Sequence, residues 1–261
     1  MIKHFLYILE HDFRNFFRYK WWLAGLITMN LADLFIMAII YNRMLNPDVA
    51  QQIKNYFNFF APGLAVTGLF ASAFMIGREV NMEKREEKHL YILSLPMTRV
   101  ELAVGRVLSG GLRGLFYTSP LLATCFVFVG LPTLEGFFTI LAVLFFLAMG
   151  ISGLSISIAV STSSIEKFIT ARGLVYYTLF FCSSVFYPIS LIQQLGQEGQ
   201  LPMALVVFAE LNPLTGASDI IRFFLMGNPA FSAVMVLSVL TFSTIFILVA
   251  ALAHIKLLER G

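Results

Sequence analysis

Six stretches of this 261-residue chain stay apolar over about the length that crosses a bilayer: 21–41, 57–77, 107–130, 136–160, 174–195 and 231–254. A helix needs about 20 residues to traverse the hydrocarbon. There a backbone N–H or C=O can be satisfied only within the protein, so each run has to be helix or to be covered by protein. Composition agrees. Hydrophobic residues make up 58% of the chain and charged residues 13%, against about a quarter charged in an ordinary globular domain. The fifth run is interrupted by Tyr187-Pro188. Two further pieces do not reach spanning length: 201–211 is too short, and 214–227 carries Asp219 and Arg222. Both read as interfacial or re-entrant. The expected fold is an all-α polytopic membrane protein: one six-span transmembrane domain over 21–261, behind an N-terminal segment 1–20.

Sidedness follows from Lys and Arg, which accumulate on the cytoplasmic side of spans. With both termini on one side, that side receives fourteen of the eighteen and the other side three, namely Arg43, Lys54 and Arg222. Arg113 falls inside the third run. Both termini are therefore expected in the cytoplasm.

Before the first span, Phe5, Leu6, Leu9, Phe13, Phe16 and Phe17 recur at three- and four-residue spacing, with charges between them. This predicts an amphipathic helix lying on the cytoplasmic surface, with Trp21 and Trp22 marking the interface. It serves either as an anchor or as a mechanical part. Its scattered charges of both signs do not suggest a cleaved leader. Gly110 and Gly114, then Gly153, Ser157 and Ser161, have the spacing that lets helices approach closely, here within one subunit.

Most of the remaining charge lies in one loop. Residues 77–106 hold six Lys/Arg and five Glu. Mixed sign argues against a polybasic lipid-binding patch. The first half favours helix by composition. A break is expected at Ser94-Leu95-Pro96. Thr98 and Glu101 then form a capping box that opens the next helix. The result is a helical hairpin whose corner would expose Leu90, Tyr91, Ile92, Leu93, Leu95 and Met97, more than a solvated connector needs.

The stretch "GREVNMEKREEKHLYILSLPMTRVELAVGRVL" resembles the cytoplasmic loop of the type-2 ABC export permease family at Leu93, Leu95-Pro96, Thr98-Arg99, Glu101-Leu102 and Gly105-Arg106. It departs from that pattern at Lys88-His89, where Gly-Thr is usual. "FYPISLIQQL…LNPLTGASDIIRFFLMG" resembles the family's second motif at Phe186, Pro188, Asn212-Pro213-Leu214-Thr215, Asp219, Arg222 and Gly227. Ile192-Gln193 stand there in place of Leu-Pro. Within the family this motif is most similar to the drug-resistance and nodulation-type exporters. The resemblance implies a permease in a prokaryotic inner membrane, paired with a second copy of itself and with two copies of a separate ATPase that would hold ATP and Mg²⁺. Residues 83–98 would be the coupling helix, with Glu83, Arg85, Glu86, Leu90, Leu93, Leu95, Pro96, Thr98, Arg99 and Glu101 at the ATPase. The segment 188–230 would be an outer re-entrant hairpin carrying Pro188, Asn212, Pro213, Thr215, Asp219 and Arg222. The cargo would be a hydrophobic or amphiphilic drug, lipid or lipid-linked glycan.

Other chemistry finds little support. The chain has no Gly-Lys dipeptide and hence no P-loop, so any ATP drive has to come from a partner. His4, His11, His89 and His254 are dispersed without metal-ligand spacing, and no G-x-S-x-G occurs. Cys125 and Cys182 sit alone in apolar runs and read as small buried hydrophobes. Nothing forms a basic stripe for nucleic acid. Asp33, near mid-span, is a candidate for the translocation path. Arg113 reads as one half of a structural pair or as snorkelling to the interface. Asp219 and Arg222, three apart, could pair on one helix face. Three alternatives stand: an ion-coupled secondary transporter built around Asp33, a polytopic membrane enzyme, and a membrane scaffold.

Overall fold

The computed structural model describes residues 2–18, 20–44, 55–86 and 98–259. In chain order its helices are α1 (Ile2–Arg18), α2 (Lys20–Met44), α3 (Tyr56–Ala73), α4 (Met75–Arg85), α5 (Arg99–Phe128), α6 (Leu134–Ser161), α7 (Ile165–Phe181), α8 (Ile189–Gln197), α9 (Met203–Leu211), α10 (Pro213–Met226) and α11 (Ala233–Glu259). The starts are written locally. Asn55, Thr98, Thr133, Ser164 and Asn212 each turn a side-chain oxygen onto a backbone N–H of the first turn, which satisfies a donor the helix leaves orphaned. The capping box at Thr98 and Glu101 is present in full.

Among the described residues, four segments are long and apolar enough to cross a membrane: Tyr56–Arg85, Val100–Phe128, Leu134–Ser161 and Ala233–Ala253. A fifth is added if α9 and α10, which meet at 60°, form one broken span. The chain is thus a multi-pass membrane protein. The first expected span is helical throughout 20–44, and its apolar stretch among the described residues is Ala24–Met37.

The fifth expected span needs correction. The helix begins nine residues earlier than the apolar run, at Ile165, and stops at Phe181. Residues 182–188 leave helical geometry before α8 begins. Hydropathy could not see this, because the break is stabilised by polar side chains supplied from α10.

The bundle is built around α3, whose residues are almost all buried although their composition would suit lipid. It packs on α5, and α6 packs on α5, α4 and α11. Small residues permit the approach. A Cβ at Gly110 would overlap the Ser152 hydroxyl of α6, and one at Gly114 would press on Ala73 and Ala148. At Gly153 it would overlap the Phe246 carbonyl of α11. The small-residue faces therefore join helices within one chain, as their spacing suggested. Where α3 passes into α4 at Phe74, Ser152 and Ser155 of α6 donate their hydroxyls to the carbonyls of Ala73 and Phe74. By contrast α7 buries only Phe168. It is the loosely held helix.

Candidate functional site

Two polar clusters stand at opposite ends of this apolar bundle. At one end α1 lies across α5 and brings Ile8, Asp12 and Phe16 to the protein, one helical turn apart. Asp12 is fully buried and receives Arg106 Nη1 of α5 at 2.7 Å. The other nitrogen of Arg106 reaches both carboxylate oxygens of Glu83 on α4, at 2.6 and 2.8 Å. Two turns further along α5, Arg113 grips Glu79 with both Nη nitrogens, one to each carboxylate oxygen, at 2.6 and 2.8 Å, and lies 4.7 Å over the Phe16 ring. Such forked pairs fix orientation as well as distance. Breaking one by removing a partner leaves a buried charge and costs about 3–5 kcal/mol. α1, α4 and the first turns of α5 are therefore fastened into one charged joint.

The electrostatics of Asp12 follow from its surroundings. Burial pushes its carboxyl up, but the Arg106 guanidinium and the His11 ring more than offset this, and the group stays below the ordinary carboxylate range. The hydrogen bond to Asp12 raises His11, against burial and the nearby Arg106.

The same short α4 also reaches α6. Lys84 Nζ donates to the carbonyls of Val160 and Thr162 at 2.7 and 3.2 Å, and Asn81 Nδ2 donates to Ala159 O at 3.2 Å. These are the orphan carbonyls of the α6 C-terminus, where a cation is electrostatically favoured. The α6–α7 corner is thereby tied to α4.

At the opposite end α10 supplies the groups that the broken α7 lacks. Asn212 caps α10 with its oxygen while its Nδ2 donates to the carbonyls of Leu179 and Cys182, both at 2.7 Å. Thr215 accepts from Ser184 N at 3.0 Å. Asp219 pairs with Arg222 at 2.6 Å and accepts from the Ser184 hydroxyl at 2.9 Å. Arg222 donates further to Phe59 O and Val185 O and stacks on Phe59 at 3.7 Å. Non-helical backbone at membrane depth persists only where protein satisfies it, and this cluster is how it is satisfied.

Of the residues singled out in the sequence, Glu83 joins the charged joint, Arg85 and Glu86 lie exposed on the last turn of α4, and Thr98 and Glu101 form the cap of α5. Arg99 opens α5. Leu90, Leu93, Leu95, Pro96 and the hairpin corner lie outside the described residues. Pro188 precedes α8, and Pro213 opens α10. Asp219 and Arg222 do pair on one helix face, and Arg113 is one half of a structural pair rather than snorkelling. Asp33 is half-buried on α2, near Tyr176. Asp12, Glu79 and Arg106 went unrecognised as a set. Asp12 on the apolar side of an amphipathic helix was the one visible sign.

The family model described as "ABC-2 type transporter" matches residues 3–226, from α1 through the end of α10. The chain belongs to this family. No curated protein matches it significantly. An ABC-2 permease domain is a transport subunit, and the family normally works with an ABC ATPase in a membrane. Both polar clusters of this permease fall inside the matched region.

Proposed function

We propose that the chain is the membrane subunit of an ATP-driven exporter, working as two permease copies with two copies of a separate ATPase in a prokaryotic inner membrane, both termini cytoplasmic. The observation that carries this reading is the charged joint. The segment 83–98 is flanked by α4 and α5, and these are locked to each other and to α1 through Arg106, Glu83 and Asp12. A push on 83–98 from an ATPase is delivered to four helices at once: α5 and α1 by the ion pairs, α3 by continuity, and α6 by Lys84 and Asn81. α7 hangs from the α6–α7 corner at that end and from the Asn212 cluster at the other. It is the element free to move. Residues 188–230 act as the outer re-entrant cover, and Asp33 faces the path of a hydrophobic or amphiphilic cargo.

The test is reconstitution with the ATPase encoded beside its gene. A stable complex is expected, with ATP hydrolysis that drives transport. Leu95→Asp with Pro96→Ala should preserve the complex's ATPase activity while transport falls at least tenfold. Normal transport by that variant would reduce 83–98 to a connector. An ion-coupled mechanism predicts instead that Asp33→Asn abolishes transport without any ATP requirement.

A further inference from the structure

The span Tyr56–Arg85 is continuous in hydropathy but interrupted as a helix at one residue, Phe74, between α3 and α4. At this point Ser152 and Ser155 of α6 donate their hydroxyls to the carbonyls of Ala73 and Phe74. A side chain that claims a carbonyl of the i→i−4 ladder loosens the helix there. Gly77, a turn on, lets α6 come close enough to do so. A Cβ at Gly77 would overlap both the hydroxyl and the carbonyl of Ser155. On one side of the interruption α3 is sunk in the core. On the other, α4 belongs to the charged joint and to the α6 C-terminus. A span gripped on both halves and loosened between them bends at the loose point.

The Phe74 ring is fully buried, and α7 packs on it. Phe168, the one fully buried side chain of α7, meets that ring with centroids 5.9 Å apart. The Arg172 guanidinium lies 6.0 Å over it, at the outer limit of a cation–π contact. Tyr176 meets Phe70, which itself stacks on Phe74. Phe168, Arg172 and Tyr176 are four apart, so one stripe of α7 follows the Phe70–Phe74 pair. The remaining side chains of α7 are half-buried or exposed. The deepest attachment of this loosely held helix is therefore to the interruption in the neighbouring span.

We propose that Phe74 is the pivot of the α3–α4 span, and that its contact with Phe168 makes α7 follow α4, with Phe168 as the positioning residue. This deepens the transport reading and rests on it for its consequence: it names the contact through which the mobile helix is driven. Apolar contact is non-directional, so the ring pair can turn as the pivot bends without a hydrogen bond being broken.

The test is double electron–electron resonance on the purified chain in nanodiscs, without an ATPase. Cys125 and Cys182 are replaced by alanine, and spin labels are placed pairwise at the exposed positions Met82 of α4, Leu174 of α7 and Leu252 of α11. All three distance distributions should be narrow in the parent. Ser152→Ala with Ser155→Ala should widen Met82–Leu252 and Leu174–Leu252 about twofold as the pivot loosens, while Met82–Leu174 stays narrow because α7 travels with α4. Adding Phe168→Ala should widen Met82–Leu174 as well, and Phe168→Leu, which keeps an apolar side chain against Phe74, should hold it narrow. Unchanged widths in the serine variant overturn the pivot. Widening of Met82–Leu174 in that variant overturns the following of α4 by α7, and both points are decided even if Phe168→Ala does not fold. A Met82–Leu174 distance that stays narrow in Phe168→Ala overturns the role of Phe168 and makes the α6–α7 corner the tie. In the reconstituted complex, Phe168→Ala should lower transport about tenfold while ATP hydrolysis continues, and Phe168→Leu should restore most of it. The distances need no ATP, so failure of an ATPase to co-purify bears on the transporter reading and leaves them standing.

Discussion

Asp12 is the side chain that fastens α1 to the charged joint. It lies on an amphipathic helix between Ile8 and Phe16 and is fully buried, where an unpaired carboxylate would not survive. Arg106 makes it tolerable, so the pair stands or falls together. Arg106→Gln should destabilise the purified chain by about 3–5 kcal/mol, seen as a large drop in detergent-resistant thermal stability. Replacing Asp12 with Leu and Arg106 with Met should recover only part of it, because Glu83 still loses its arginine, while leaving α1 unlinked to α4. Unfolding of the single and double variants checks both statements. His11 adds a pH dependence. Asp12, Arg106 and Glu83 face it, and its folded value lies above the ordinary 6.5. Its contribution to docking α1 is thus fully present below about pH 6.5 and is lost as the pH rises through the folded value. A spin label on α1 should become more mobile as the pH rises above about 6.5, and His11→Gln should remove the transition.

Among the elements, α7 and α10 depend on each other. α7 ends at Phe181, its last carbonyls claimed by Asn212, which also starts α10. One side chain thus does the work of a C-cap and an N-cap. Asn212→Ala should cost about 2 kcal/mol, more than an ordinary cap, and should raise the reactivity of Cys182 toward a membrane-permeant maleimide, since the half-buried thiol lies at the released end. Labelling no faster than in the parent would show that packing alone holds the break. α4 is the counterpart at the other end. It is only eleven residues long, yet it bonds to α1's partner Arg106, to Arg113 and to the α6 C-terminus. Glu79, Asn81, Glu83 and Lys84, part of a stretch whose charge gave no sign of burial in the sequence, are consumed by these contacts.

For the whole molecule, the two clusters define two ends, and the proposed orientation puts the charged joint on the cytoplasmic one. Cysteines introduced at Ser163 and Lys167 should label only from the cytoplasmic side of sealed cells. Cysteines at Leu131 and Gln200, exposed at the opposite end, should label only from outside. The reverse pattern would invert the molecule and with it the docking side for any ATPase.

What was legible in the sequence, and what was not, divides along the range of the interactions. The helix start at Thr98, the charge asymmetry and the pairing of Asp219 with Arg222 are local or periodic quantities, and the sequence by itself determined them. The family motifs were legible because Asn212-Pro213-Leu214-Thr215 and the run around Pro96 are contiguous. The end of α7 at Phe181 was decided only by the tertiary structure, because the backbone groups of 179–185 are satisfied by side chains some 30 residues away. So was the joint of Asp12, Glu83 and Arg106, whose members are separated by up to 94 positions. A buried charge is affordable only where its counter-charge is brought to it, and no spacing in the chain records which one that will be.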